Sequence, residues 1–201
     1  EQYNSKCIYT GQPIRNNVLK GNKKKIKFEN IDKTKPNLLI IGGSTGAKFI
    51  NEKVWINIDT LTKNFNVLHI TGKQAKEIKH HKNYLQVPYA ENIGDYLDFA
   101  DIVLSRAGSG AINEFLTLRK PMLLIPLSKK CSRGDQIENA KLFTKLGFSD
   151  MIEEEDFDDK MFVIKIKNLY QNKDKYIKNM QNAKLPNANK KIKELIMEIK
   201  K

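Results

Sequence analysis

The residues that could do chemistry in this chain cluster between Asp101 and Ala140. That stretch reads D-I-V-L-S-R-A-G-S-G-A-I-N-E-F-L, then R-K-P-M-L-L-I-P-L, then S-R-G-D-Q-I-E-N-A. An apolar run from Asp101 to Leu104 passes through Gly108-Ser109-Gly110 into apolar residues at helical spacing, Ala111, Ile112, Phe115 and Leu116, which predicts strand, glycine turn and helix. The first amides of such a helix have no intrahelical acceptor, so they point outward with the positive end of the helix dipole and suit a phosphate. Glu114 falls one turn inside, about 6 Å along the axis from Gly110. A carboxylate there is badly placed for phosphate and well placed to accept hydrogen bonds from a ribose. The next strand, Met122 to Ile125, ends at Pro126, and a polar loop carries Asp135 and Gln136 into a helix expected to begin near Ile137. Two consecutive strand ends therefore aim polar groups at one rim.

A second glycine turn has the same form. The apolar run Asn37 to Ile41 leads into Gly42-Gly43-Ser44-Thr45-Gly46-Ala47, and a helix follows to about Leu61 with Phe49, Ile50, Val54 and Ile58 on one side. Glycine lets a backbone approach phosphate without a β-carbon in the way, and Ser44 adds a hydroxyl donor. Ile8 to Arg15 is a short extended piece broken at Gly11 and Pro13; taken alone it reads as an ordinary loop. Asn22 to Lys35 reads as a loop with one helical turn, and as dispensable.

Further strands are expected at Val67 to Ile70, Leu85 to Pro88 and Phe148 to Ile152. Thr71-Gly72-Lys73 is expected to turn into a polar helix carrying His80 and His81, an exposed basic face rather than a metal site, because adjacent helical residues point about 100° apart. His69 is expected in the core or at its rim. Tyr89 and Ala90 open a segment that becomes helical through Leu97. Gly147 closes the helix begun near Ile137. The acids Glu153 to Asp156 suit a helix start, and helices are expected over 158–171, 173–183 and from 187 to the end. Strands alternating with helices predict right-handed crossovers and an α/β, Rossmann-like parallel sheet with helices on both faces and a ligand at its carboxyl edge.

A chain of 201 residues with 40% hydrophobic content suits one domain. It holds no apolar run of about 18 residues that would span a membrane. It opens E-Q-Y-N-S-K, without Met or an apolar leader, which points to a piece of a longer polypeptide. Cys7 and Cys131 have no metal-ligand spacing, so a reduced, cytoplasmic setting is the default. The formal charge of +13 fits a solvated lysine surface first, an anionic membrane surface second and nucleic acid last, since no aromatic-basic interleaving occurs. Arginine stands at only four positions, 15, 106, 119 and 133, among 36 basic residues. Three of the four fall inside candidate ligand motifs, where the planar fork of arginine is worth having over lysine.

The order G-Q-P-I-R, G-G-S-T-G-A, R-A-G-S-G-A-I-N-E and S-R-G-D-Q-I-E-N-A resembles the C-terminal, donor-nucleotide half of GT-B glycosyltransferases. The likeness is to those that add N-acetylglucosamine to lipid I in peptidoglycan synthesis, in the form found in Gram-positive bacteria, and it extends from Tyr9 onward. Thr45 replaces the usual Gln, and Ala107-Gly108-Ser109 shifts one hydroxyl. The resemblance implies that Arg15 and Ser44 lie at the pyrophosphate of UDP-N-acetylglucosamine with the amides of Ser109, Gly110 and Ala111, and that Thr45, in the place of the usual Gln, is also a substrate-binding position. It places Tyr89 and Ala90 at the uracil, although Tyr89 also reads as a half-buried surface aromatic. It places Glu114 at the ribose, and Asp135 with Gln136 at the sugar hydroxyls. No metal and no cofactor are expected. The acceptor, lipid I, and its catalytic base would belong to an N-terminal domain outside this sequence, so the 201 residues alone are expected to bind donor without transferring it. The whole enzyme would be peripheral on the cytoplasmic face of the bacterial membrane, at an anionic lipid surface. The alternatives are another GT-B UDP-sugar enzyme, such as a 2-epimerase or a diacylglycerol glycosyltransferase; a stand-alone donor-binding subunit needing a membrane partner; and a basic nucleic-acid-binding module.

Overall fold

The computed structural model describes residues 7–29, 31–43, 46–75 and 77–199. In chain order its helices are α1 (Asn16–Leu19), α2 (Lys48–Ile56), α3 (Ile58–Asn64), α4 (Ile93–Phe99), α5 (Ser109–Thr117), α6 (Asp135–Lys145), α7 (Asp159–Gln171), α8 (Lys173–Asn182) and α9 (Ala188–Ile199). Its strands are β1 (Asn37–Ile41), β2 (Asn66–Ile70), β3 (Tyr84–Val87), β4 (Ile102–Ser105), β5 (Met122–Leu124) and β6 (Ser149–Met151). All six pair in parallel in the order β3-β2-β1-β4-β5-β6. Chain direction across the sheet reverses between β1 and β4, and a crevice opens above the carboxyl ends of two such strands because their following helices depart to opposite sides.

Alternation along β1 divides the core. Leu38 and Ile40 pack with Ile50 and Val54 of α2, Leu61 of α3 and Phe162, Ile166 and Leu169 of α7. Leu39 faces the other way, onto Leu97 of α4, Ile112 and Phe115 of α5 and Ala140 and Phe143 of α6. Helices thus cover both faces, as a parallel sheet requires.

Several expectations are corrected. The helix expected to run to Leu61 breaks at Asn57, whose amide side chain donates to the Lys53 carbonyl and to Asp159 and so leaves two short helices. No helix follows Gly72 among the described residues of 71–83. That segment has no apolar face to bury, Ile78 being 69% exposed, and the Gln86 side chain holds it instead by bonding the Glu77 carbonyl and the Lys79 amide. The acidic run after β6 forms only a 3-10 turn over Glu154–Asp156, and Asp158 caps α7 by accepting the Met161 amide.

Residues 22–35 are not dispensable. The buried Asp95 carboxylate accepts the Asn22 amide at 2.7 Å, Asp98 accepts the Lys23 amide at 2.9 Å, and the Phe28 ring meets Phe99. Asn66 likewise ties down residues 32 and 35 through their carbonyls. We expect Asp95→Ala to lower unfolding stability by about 1–3 kcal/mol, the cost of stranding a buried donor, as read by urea denaturation.

A buried polar relay lies between α2 and the sheet. The Asn51 amide donates to the Thr71 carbonyl at 2.9 Å, so its oxygen accepts from His69 Nε2 at 3.0 Å. His69 Nδ1 is then the acceptor for the Tyr84 hydroxyl at 2.9 Å, which itself receives the Trp55 indole N–H. Burial holds His69 at a pKa of about 3, below the ordinary 6.5 of an imidazole, and pushes the Tyr84 phenol up. Between pH 6.5 and 3 the unfolded chain binds a proton here that the folded chain refuses. Stability therefore falls as pH falls through this window, by about 1.4 kcal/mol per unit. Urea unfolding at pH 7 and pH 5 should show about 2 kcal/mol of loss from this residue, and His69→Gln should remove that increment from the slope.

Candidate functional site

The crevice above β1 and β4 holds a cavity of about 480 Å³ whose lining includes Arg15, Tyr89, Ala90, Gly110, Ala111 and Glu114. Its floor is the apolar strand ends Ile41 and Ile70, with Phe115 behind and Gly43 at the rim. Sequence reasoning missed Ile41, Ile70 and Phe115; the available signal was that the last apolar residue of each strand beside the reversal point must close the bottom of the crevice.

The wall formed by α5 has no side-chain cap. Its first backbone bond runs from the Ile112 amide to the Gly108 carbonyl at 3.1 Å, which leaves the amides of Ser109, Gly110 and Ala111 directed outward. A Cβ built on Gly108 or Gly110 meets nothing within 4 Å, whereas one on Gly46, at φ +84°, would lie 2.2 Å from the Thr71 carbonyl. Gly46 is therefore required by the protein's own packing, whereas no contact among the described residues requires a glycine at 110.

Arg15, at the end of the N-terminal segment, reaches over this wall. Its Nε and Nη2 both donate to Glu114 Oε1, at 3.2 and 2.9 Å. The guanidinium is 64% exposed, while the carboxylate is sunk to 14%. On the opposite side the Lys73 ammonium lies 4.4 Å from the centre of the Tyr89 ring. Arg15 and one helix N-terminus thus face a half-apolar slot whose lining carries two carboxylates, Glu91 and Glu114, with Lys73 over its Tyr89 ring. Such a slot holds an anion at α5, a flat ring near Tyr89 and hydroxyls at Glu114.

Asp135 and Gln136 lie outside this cavity, on the neighbouring corner where β5 leads into α6. Asp135 is exposed. Gln136 Oε1 accepts the Leu127 amide at 3.1 Å, which leaves its N–H groups and one lone pair of the oxygen to offer a ligand. Ser44 and Thr45 lie outside the described residues. Arg106 does not line the cavity: Nη1 donates to the Ile125 and Pro126 carbonyls, both at 3.1 Å, and Nη2 pairs with Glu154 at 2.5 Å. Arg133 is exposed and makes no ion pair among the described residues. The motif arginines are thus not one set.

A second cavity of about 510 Å³ lies beyond the glycine turn, lined in part by Asn51, Trp55, Thr71, Glu52 and Glu77. Its two carboxylates oppose phosphate, and none of the described candidate ligand residues lines it, although it borders the Asn51–Thr71 end of the buried relay. His80 and His81 lie on the surface, and His81 Nε2 pairs with Asp59 at 2.7 Å. No group of three or more His, Cys, Asp or Glu that could hold a metal occurs among the described residues.

Residues 37–198 match the glycosyltransferase family 28 C-terminal domain. Over 200 residues the chain is 46% identical to the UDP-N-acetylglucosamine–N-acetylmuramyl-(pentapeptide) pyrophosphoryl-undecaprenol N-acetylglucosamine transferase of Clostridium botulinum strain Hall, covering 98% of this chain and 56% of that protein. It is 44% identical over 195 residues to the protein of the same name from Clostridium tetani, covering 95% and 54%. The chain therefore spans a little over half the length of these curated relatives. Among solved structures, Acinetobacter baumannii MurG superposes with a TM-score of 0.70 at 26% identity, covering 83% of this chain and 51% of that one. The kitacinnamycin glycosyltransferase, at 16% identity and a TM-score of 0.68 over 86% of this chain and 43% of that one, shares the fold.

Proposed function

This chain belongs to the glycosyltransferase family 28 C-terminal domain family, and from that premise we propose that it is the donor-binding half of an inverting transferase that moves N-acetylglucosamine from UDP-N-acetylglucosamine to lipid I. The observation that carries the reading is the single cavity at the β1/β4 reversal, which gathers Arg15, Tyr89, Ala90, Gly110, Ala111 and Glu114. The pyrophosphate lies on the open amides of Ser109, Gly110 and Ala111, with Arg15 and the turn bearing Ser44 and Thr45 beside it. Uracil enters against Tyr89 and Ala90, where backbone groups read its edge. Glu114 accepts the ribose hydroxyls. The sugar extends toward the β5–α6 corner, where Asp135 accepts from its hydroxyls and Gln136 donates.

In this reading the chain's chemical work is to stabilise the departing diphosphate. Negative charge growing on UDP as the glycosidic bond breaks meets preorganised N–H groups and the Arg15 guanidinium, neither of which must reorient. The base that accepts the proton of the lipid I hydroxyl comes from outside these 201 residues, so this half alone binds without turnover. The enzyme works at the cytoplasmic face of the membrane, drawn to anionic lipid in part by the charge of +13 on this half. Among the described residues no helix is long and apolar enough to cross a bilayer.

Calorimetry with UDP-N-acetylglucosamine, UDP-glucose and dTDP tests the donor assignment. Binding is expected for the first, weaker for the other two, and about tenfold weaker for Glu114→Gln, the worth of one charge-assisted hydrogen bond. No heat at millimolar UDP-N-acetylglucosamine would refute it.

A further inference from the structure

The Arg15–Glu114 ion pair has a consequence for what the site will accept. Both donors of the arginine fork converge on one oxygen, Glu114 Oε1. That carboxylate is the only acidic side chain beside Glu91 among the cavity's lining residues, and the proposed function gives it the ribose. A nucleoside whose two ribose hydroxyls take both carboxylate oxygens must therefore compete with Arg15 for Oε1, since only Oε2 lies outside the ion pair. A nucleoside diphosphate need not, because it brings a stronger partner for the guanidinium: phosphate geometry matches the arginine fork, and the open amides of α5 fix the phosphate within reach of the same rim.

We propose that Arg15 is a specificity-determining residue acting as an internal competitor for Glu114, so that ribose recognition is released only when a diphosphate draws the guanidinium away. The inference rests on the donor-site reading above. The two partners are unequal in the way such an exchange needs. Glu114 is sunk in the wall on α5, while Arg15 is mostly in solvent on a segment without regular structure and swings at low cost. The exchange conserves charge pairing: the carboxylate trades a cation for two hydroxyls, and the cation trades a carboxylate for a diphosphate. Phosphate and ribose contacts are therefore coupled rather than additive.

The coupling predicts effects of opposite sign from one substitution. In Arg15→Gln, uridine has no competitor, and its affinity is expected to rise about twofold to fivefold, the range for an exposed ion pair. UDP loses its cation, and its affinity is expected to fall about tenfold. Nuclear magnetic resonance titration of this chain with uridine, UDP and UDP-N-acetylglucosamine measures all three, including the weak nucleoside. Arg15→Lys keeps the charge without the fork and should fall between. If Arg15→Gln leaves uridine binding unchanged or weakens it while UDP still binds the unaltered chain, the competition does not exist and the donor site survives. If the unaltered chain binds neither ligand, both readings fall. A merely structural arginine would move both affinities in the same direction.

Discussion

Arg106→Ala lowers unfolding stability by about 3–5 kcal/mol, the scale for breaking a buried ion pair from one side. The guanidinium and the Glu154 carboxylate are exposed to only 11% and 15%. Removing the arginine leaves that carboxylate without its cation. It also strips the Ile125 and Pro126 carbonyls, at the start of the β5–α6 loop, of their shared donor. Urea denaturation followed by circular dichroism reads the loss. Arg106→Met fills the volume without the charge and should cost a similar amount, because Glu154 remains stranded; the double variant Arg106→Met with Glu154→Leu should recover part of it. A change under about 1 kcal/mol for Arg106→Ala would show that the pair is solvated in solution.

Gly110→Val is expected to weaken UDP-N-acetylglucosamine binding by about 100-fold, or roughly 2.7 kcal/mol, with stability unchanged or slightly raised. The two effects separate because a β-carbon at this position meets nothing within 4 Å among the described residues outside its own helix. Valine is also no worse than glycine in a helical turn. The added methyls stand in front of the open amides of α5, where the diphosphate must come within hydrogen-bonding distance. Calorimetry gives the affinity and thermal melting the stability. Tight binding by Gly110→Val would move the phosphate away from this helix.

How far the sequence disclosed this differs by the range of the interaction concerned. The strand–glycine–helix units at 37–47 and 101–111 are legible because apolar runs and glycines act on their own neighbourhood. Which side of the sheet each helix covers follows from parallel crossovers. Arg106 was illegible: it stands in a motif with glycine and serine, but its direction is set by Glu154, which arrives only after another strand has formed. The same holds for residues 22–35, whose lysine-rich composition says loop, while Asp95 and Asn66 hold them against the body of the fold. The segment after Gly72 is polar throughout, and a helix with no face to bury gains little from packing, so composition alone does not produce one there. For the site, Arg15 and Glu114 could be named as candidates singly, but their contact joins positions 99 residues apart.

The strand order also sets a timetable for synthesis. Strand β1 pairs with β2 soon after it is made, but its other neighbour, β4, aligns Ile102 with Leu38. At bacterial-to-eukaryotic elongation rates, one bare edge of an apolar central strand stays open on the ribosome for on the order of 3 to 13 seconds. During that interval Leu38 to Ile41 is a template for pairing with other nascent chains. A chaperone that shields extended apolar segments should raise the soluble yield of this chain, and slowing translation between residues 42 and 101 should lower it.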